Sequence, residues 1–396
     1  MLERVRPGSL EHLALESAGG RVLAQPVHAA TDLPSFAQSA MDGYALAASG
    51  EAPAGSRFRL AGVSRAGGVL PPPLRPGEAT RVYTGAPVPE GATRVAIQEI
   101  VSVAGDVIEL QKPVAPGLYV RPAGGDVAAG AEALAAGTPL GSAALALLRA
   151  LGVEFVGVHR APRVSLVASG DELCGDPAAL QPGQVLESSS AGVREALRRE
   201  GLALASLRMT RDTREAHLRA LGAALEESEV LLVAGGVSVG DFDLVRPTLQ
   251  ELGVETVFWR VRQRPGGPLY FGAHGGKLVF GLPGNPASTL VCFHEYVLPA
   301  LRRALGHAHP RLPRIPVRLE ERVSKPPGKT HFARARLRAG AEGWRATLDP
   351  QQDSHTLRSF ARAHGLVVLA AERERFERGE TVPCDLLPGA SPEVVA

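Results

Sequence analysis

Chemistry is most concentrated in the loop Gly235-Gly236-Val237-Ser238-Val239-Gly240-Asp241-Phe242-Asp243, which follows the apolar run Val230-Leu231-Leu232-Val233-Ala234. A buried strand that feeds a glycine-rich turn and then a helix puts the turn at the carboxyl end of a sheet, where open α/β sheets bind ligands. Paired glycines let an anion approach the backbone, and N–H groups of the turn and the helix start can face a phosphate. Ser238 adds a hydroxyl. A tight connection needs the same glycines, so the turn alone supports either reading; the acids decide. Asp241 and Asp243 would repel a phosphate unless a cation intervened, and Mg²⁺ commonly combines one or two carboxylates with substrate phosphates. Asp171 and Glu172 follow the apolar run Val164 to Ser169, and Asp212 follows the run from Leu202 to Thr210. Each is by itself an ordinary cap or surface acid. Their shared strand-end position makes Glu172, Asp212 and Asp243 the expected lining of one Mg²⁺-phosphate cleft.

The same loop fits a second chemistry. Gly236-Val237-Ser238-Val239-Gly240 matches the G-x-S-x-G nucleophile elbow, and Asp349 followed by His355 keeps the order of a serine hydrolase. Both partners fall in a region that reads as a separate β unit, so this is the less favoured reading.

Positioning these residues requires a doubly wound α/β unit. Between Arg163 and Gly306, apolar runs alternate with helical stretches at 191–200, 213–227 and 244–252, the pattern of a parallel sheet covered on both faces. Asn285 and Pro286 mark the N-cap and first position of another helix, continuing to Leu305. From Phe58 to Val120, short β-type runs separated by Gly and Pro predict a small β-rich unit, and 315–319, 332–337 and 366–371 predict a closing β-barrel or sandwich. At the start, 9–15 reads as a short amphipathic helix, and 131–151 as a turn and helix.

With 396 residues, 45% of them hydrophobic, the chain is expected to form several domains. A net charge of +2 excludes a global basic field for nucleic acid. Three separated cysteines form no disulfide or zinc pattern, and no run is long and apolar enough to span a bilayer. The expected setting is therefore cytoplasmic, with no membrane or nucleic-acid partner.

Three more loops stand out: Ser39-Ala40-Met41-Asp42-Gly43-Tyr44-Ala45, Tyr83-Thr84-Gly85-Ala86-Pro87-Val88-Pro89 and Gly281-Leu282-Pro283-Gly284-Asn285-Pro286. Together with Ser169-Gly170-Asp171-Glu172-Leu173 and the 235–243 loop, in this order, they resemble the molybdopterin molybdenumtransferase family, which includes bacterial MoeA and the E domain of gephyrin. The resemblance implies an elongated multi-domain α/β homodimer. Its parts are a discontinuous dimerisation domain (1–42 with 121–160), a small β-rich domain (43–120), a doubly wound molybdopterin-binding α/β domain (161–306) and a C-terminal β-barrel (307–396). It implies transfer of molybdate to adenylylated molybdopterin with loss of AMP and Mg²⁺ as activating ion. The molybdopterin adenylyltransferase and apo-molybdoenzymes are the implied further partners.

By the same resemblance the reacting groups are Asp42, Thr84, Glu172, Asp212 and Asp243, with Asp42 and Thr84 reaching the partner's cleft. The pterin side falls to Gly235, Gly236, Ser238, Pro283, Gly284 and Asn285, and the molybdate side to Arg264, Pro265, Arg334 and Ser354. The chain departs from the family pattern at Gly267, where a second loop lysine stands, and at Ala234, Ser189 and Gly125. Those departures motivate the alternative of a non-catalytic, gephyrin-like scaffold. An adenylyltransferase is a further alternative, because the α/β unit alone is similar to that smaller enzyme.

Overall fold

The computed structural model describes residues 1–237 and 244–394; Ser238 and Asp243 lie outside the described residues. At its centre is a six-stranded sheet. Four strands run parallel, in the lateral order Leu204–Thr210, Val164–Ser169, Val230–Ala234 and Lys277–Leu282. The antiparallel strands Tyr270–His274 and Glu255–Trp259 extend the far edge, so the sheet is mixed rather than wholly parallel.

Because successive strand residues point to opposite faces, the continuous apolar runs supply two cores at once. Val164, Leu166, Val230, Leu232 and Phe280 face one core, shared with Val193 and Leu197 of the helix Ser189–Arg199. Val167, Leu231, Val233 and Val279 face the other, with Leu221 and Leu225 of the helix Arg214–Glu227 and Val245 and Leu249 of the helix Val245–Glu251. After Val164–Ser169 the chain adds a strand on one side, then crosses to Val230–Ala234 on the other. That reversal opens a crevice at the carboxyl ends of the two strands.

Residues 314–386 close a five-membered barrel: Arg314–Leu319 pairs with Gly343–Leu348 and Thr381–Leu386, and Thr330–Gly340 pairs with Gly343–Leu348 and Gly365–Leu369. The last contact, Gly365–Leu369 with Thr381–Leu386, closes the ring. Alternate residues fill it, among them Val317, Leu319, Ala333, Ala335, Leu337, Val367 and Leu369. Val291, on the helix Pro286–Cys292, packs with Phe332, Leu366 and Leu387, which seats the barrel against the α/β unit. A separate six-stranded sheet between Gly43 and Leu110 has its own core around Leu46, Phe58 and Ile108.

The segment expected to be an N-terminal helix is instead a strand. Leu10–Ala14 pairs antiparallel with Phe155–His159, and only Leu15–Ser17 turns helically. Seven residues carry too little periodicity to separate the two states, and hydrogen bonds to a distant strand settled the outcome. The helix within 131–151 is shorter than that span, Ser142–Ala150, with Leu148 buried on it. From Pro286 to Ala304 the helical path holds, broken by a π-helical turn at Phe293–Val297. Among the described residues no helix is long and apolar enough to cross a membrane.

Candidate functional site

A cleft of about 1090 Å³ opens at the carboxyl ends of the parallel strands and is roofed by the barrel. Of the residues expected from the sequence, Glu172, Asp212, Gly235, Gly236, Arg264, Pro265, Pro283, Gly284, Asn285 and Ser354 line it. Ala234, Ser189 and Gly267 line it too, so three of the departures from the family pattern face the ligand space. Asp42, Thr84 and Arg334 are not among the lining residues.

The floor owes its shape to glycine. Gly235 has φ +96°, and a Cβ there would lie 2.3 Å from the backbone oxygen of Ser169 on the neighbouring strand. Gly236, at φ +66°, would place a Cβ 2.6 Å from Val245 Cγ2, at the start of the following helix. No other residue type permits both the conformation and the closeness. Trp259 Nε1 donates to Val237 O at 3.0 Å and holds the last described residue of the loop, while Arg246 stacks on the indole at 3.9 Å.

Asp212 is held by its neighbours. Ser169 Oγ donates to Asp212 Oδ1 at 2.9 Å and stands 2.8 Å from His217 Nε2. The amide of Asp171 donates to Asp212 Oδ2 at 3.4 Å. His217 Nδ1 lies 2.9 Å from the Thr213 carbonyl oxygen, which can only accept, so Nδ1 carries a proton. Ser169 and His217 were not legible as site residues, because a buried serine and a helix histidine have no signature until the strands align.

The opposite wall is cationic. Arg260, Arg262, Arg264 and Lys329 line the cleft, and none forms an ion pair with a described residue. Behind Arg264 lie His331, its cross-strand neighbour, and Arg334. Arg334 does not reach the cleft surface: it is fully buried, with Nε donating to Ser359 Oγ at 2.9 Å and Nη2 to the carbonyl oxygens of Gln351 and Asp353, both at 3.1 Å. Its Nη1 and His331 Nε2 have no partner among the described residues. Burial, and then the charges of Arg264, Arg334 and Lys325, pushes the His331 imidazole down to about 4, so it is neutral near pH 7. Burial likewise lowers the guanidinium of Arg334 from its ordinary value. A wall of this kind is chemically able to hold an oxyanion.

Two contacts set the loops of this wall. Asn285 sits at the N-cap position as expected, but its amide does not cap; Nδ2 donates to Ser354 Oγ at 2.9 Å and joins the α/β unit to the barrel. Gln263 Nε2 donates to Pro265 O at 3.0 Å, and Tyr296, on the π-helical turn, donates to Gln263 Oε1 at 2.5 Å. Gly266, at φ +87°, lies against Cys292, where a Cβ would come 2.4 Å from Sγ.

Away from the cleft, Thr84 donates from its amide and its hydroxyl to Asp42 Oδ1 at 2.7 and 2.8 Å. These two bonds hold the Asp42 carboxyl below the usual carboxylate range. The pairing a serine hydrolase needs is not formed: His355 lines the cleft, but Asp349 Oδ1 accepts from the amide of Gln351 at 3.0 Å and makes no bond to His355.

Fold and site together define a multi-domain α/β protein with an anion cleft at a topological switch point, acidic on one side and cationic on the other. Three family models match in sequence: the MoeA N-terminal region (domain I and II) over residues 1–152, a "Probable molybdopterin binding domain" over 165–303 and the MoeA C-terminal region (domain IV) over 316–387. The molybdopterin molybdenumtransferase of Haemophilus influenzae is 31% identical over 96% of this chain and 95% of its own length. Molybdopterin molybdenumtransferase 2 of Mycobacterium tuberculosis is 35% identical over 89% of each. The crystal structure of the molybdopterin biosynthesis MoeA protein from Pyrococcus horikoshii OT3 superposes with a TM-score of 0.82 at 26% identity, covering 98% of this chain and 97% of that one. The chain belongs to the molybdopterin molybdenumtransferase family.

Proposed function

We propose that the chain is a molybdenum insertase: it binds adenylylated molybdopterin in the cleft and transfers molybdate to the dithiolene sulfurs, the phosphoanhydride being cleaved and AMP released. The observation that carries this reading is the opposition, within one cleft, of the strand-end carboxylates Glu172 and Asp212 to Arg262, Arg264 and Lys329, cations with no ion-pair partner among the described residues. A phosphoanhydride and a second, free oxyanion need those two environments side by side.

Each wall has its own task. The Gly235-Gly236 turn lets the pterin phosphate approach the backbone, and Pro283, Gly284 and Asn285 shape the adjoining edge. Ser169 and the amide of Asp171 orient Asp212. Arg264, with its planar fork, and Ser354, fixed by Asn285, hold the molybdate dianion, while the buried charge of Arg334 supports them from behind.

The acidic wall fits Mg²⁺ as an ion completed by substrate. Among the described residues no group of three or more His, Cys, Asp or Glu gathers to hold a metal alone, whereas Glu172 and Asp212 supply the one or two carboxylates that Mg²⁺ uses beside phosphates. Bound there, the ion would neutralise charge on the departing phosphate. Asp243 is a further ligand of the same proposal.

A homodimer in the cytoplasm completes the reading, with Asp42 and Thr84 presented to the partner's cleft; the molybdopterin adenylyltransferase would deliver substrate and apo-molybdoenzymes would receive product. Reconstitution tests it. Purified chain, adenylylated molybdopterin, Mg²⁺ and molybdate should together activate an apo-molybdoenzyme, and failure when all four are present would count against the proposal.

A further inference from the structure

Lys329 is a cation with a fixed backbone and a head that pairs with no described residue. Its carbonyl accepts from the buried ammonium of Lys325 at 3.0 Å, which also donates to Pro326 O at 3.3 Å and Ala371 O at 3.5 Å. On one side of it Gly328 N donates to Ala371 O at 2.7 Å, and on the other Thr330 N donates to Arg262 O at 2.9 Å. The segment is thereby held against the strand Gln263–Arg264, which pairs with Thr330 and His331. The side chain of Lys329 lines the cleft and has no partner among the described residues.

Facing the same space, the turn after Arg264 treats its two glycines differently. Gly266 is obligatory, for the reasons of φ and Cys292 contact given above. Gly267 is not: its backbone lies outside the left-handed region, and a Cβ would meet the Gln263 and Val261 carbonyl oxygens at 3.5 and 3.6 Å, ordinary contacts. The turn therefore has room for a side chain it lacks, while the residue just before the strand Thr330–Gly340 contributes to the same cleft a long ammonium with no partner among the described residues. The fully buried guanidinium of Arg334, whose Nη1 has no partner among the described residues, stands behind this wall and adds positive charge to it.

We propose that Lys329 is an oxyanion-binding residue of this protein, supplying with Arg264 the charge that holds molybdate, and that Gly267 faces the same subsite. The inference rests on the insertase reading of the cleft. An ammonium on a flexible stem acts as a point charge, so a lysine entering from position 267 can replace one entering from 329.

The test is molybdate binding to the full-length protein by equilibrium dialysis, with bound molybdenum measured by elemental analysis. Lys329→Ala should weaken molybdate binding about tenfold or more, the loss of one charge-assisted contact. Binding of adenylylated molybdopterin in the absence of molybdate should stay unchanged. Adding Gly267→Lys to Lys329→Ala should restore most of the lost affinity. Arg336→Ala, which removes a cation from the strand that follows Lys329 and lies outside the cleft lining, should bind molybdate as the unmodified chain does. Wild-type affinity in Lys329→Ala overturns the inference and leaves the insertase reading intact. No molybdate binding by the unmodified protein, with or without the pterin substrate, overturns both.

Discussion

Replacing Gly235 by alanine should be among the most damaging single changes in the α/β unit. A non-glycine residue at φ +96° carries at least the about 1–2 kcal/mol cost of leaving the right-handed and extended regions. The added Cβ would also stand 2.3 Å from Ser169 O, a backbone atom of the adjacent central strand that cannot rotate away. Parting two packed strands is overpacking of the core and costs about 1–3 kcal/mol more. Together these give a destabilisation of about 2–5 kcal/mol, a large share of the stability of a domain. Gly284→Ala is the control. Its Cβ would be 3.5 Å from Gly235 Cα, an ordinary contact, so it should cost less than about 1 kcal/mol. Urea titration followed by tryptophan fluorescence reads the difference, because Trp259 is bonded to Val237 at the edge of this loop. Equal unfolding midpoints for the two variants would refute the account of the floor.

Other expectations follow from the same geometry. Glu172→Gln and Asp212→Asn should each lower turnover at least about 100-fold while leaving thermal unfolding nearly unchanged, since the carboxylates are placed for chemistry and not for packing. Tyr296→Phe leaves the buried amide oxygen of Gln263 without its donor, at a cost of about 1–2 kcal/mol, and should raise the molybdate concentration needed for half-maximal turnover several-fold with little effect on pterin binding. Burial, and then the nearby Asp385, raises the Glu295 carboxyl from 4.5 to about 8. The folded state thus keeps a proton that the unfolded state loses above 4.5, and stability falls as pH rises from 4.5 to 8. Glu295→Gln should therefore stabilise the protein by about 2–4 kcal/mol near pH 8 and by almost nothing near pH 4.5, measured by urea unfolding at both.

What the sequence disclosed depended on how local each signal was. The strand-end acids Glu172 and Asp212 were legible because Glu172 follows the buried run Val164–Ser169 and Asp212 follows the strand Leu204–Thr210, and such ends converge at one edge of a parallel sheet. The barrel strands were legible as the short β-type stretches 315–319, 332–337 and 366–371. The strand Leu10–Ala14 was not, since its hydrogen-bond partner Phe155–His159 lies far along the chain. Nor could the sequence show that Asn285 reaches Ser354 instead of capping its own helix, because that choice depends on where the barrel docks. Arg334 illustrates a different limit. Its residue type and family position point to an anion, but only packing reveals that it lies buried off the cleft lining, held by Ser359, Gln351 and Asp353.

If one cleft joins a phosphoanhydride to an oxyanion, AMP release from adenylylated molybdopterin depends on molybdate. With Mg²⁺ present, release should be slow without molybdate and rise steeply on its addition, and the rise should disappear in Glu172→Gln and Asp212→Asn. Release that is indifferent to molybdate, or that survives loss of both carboxylates, would contradict the account.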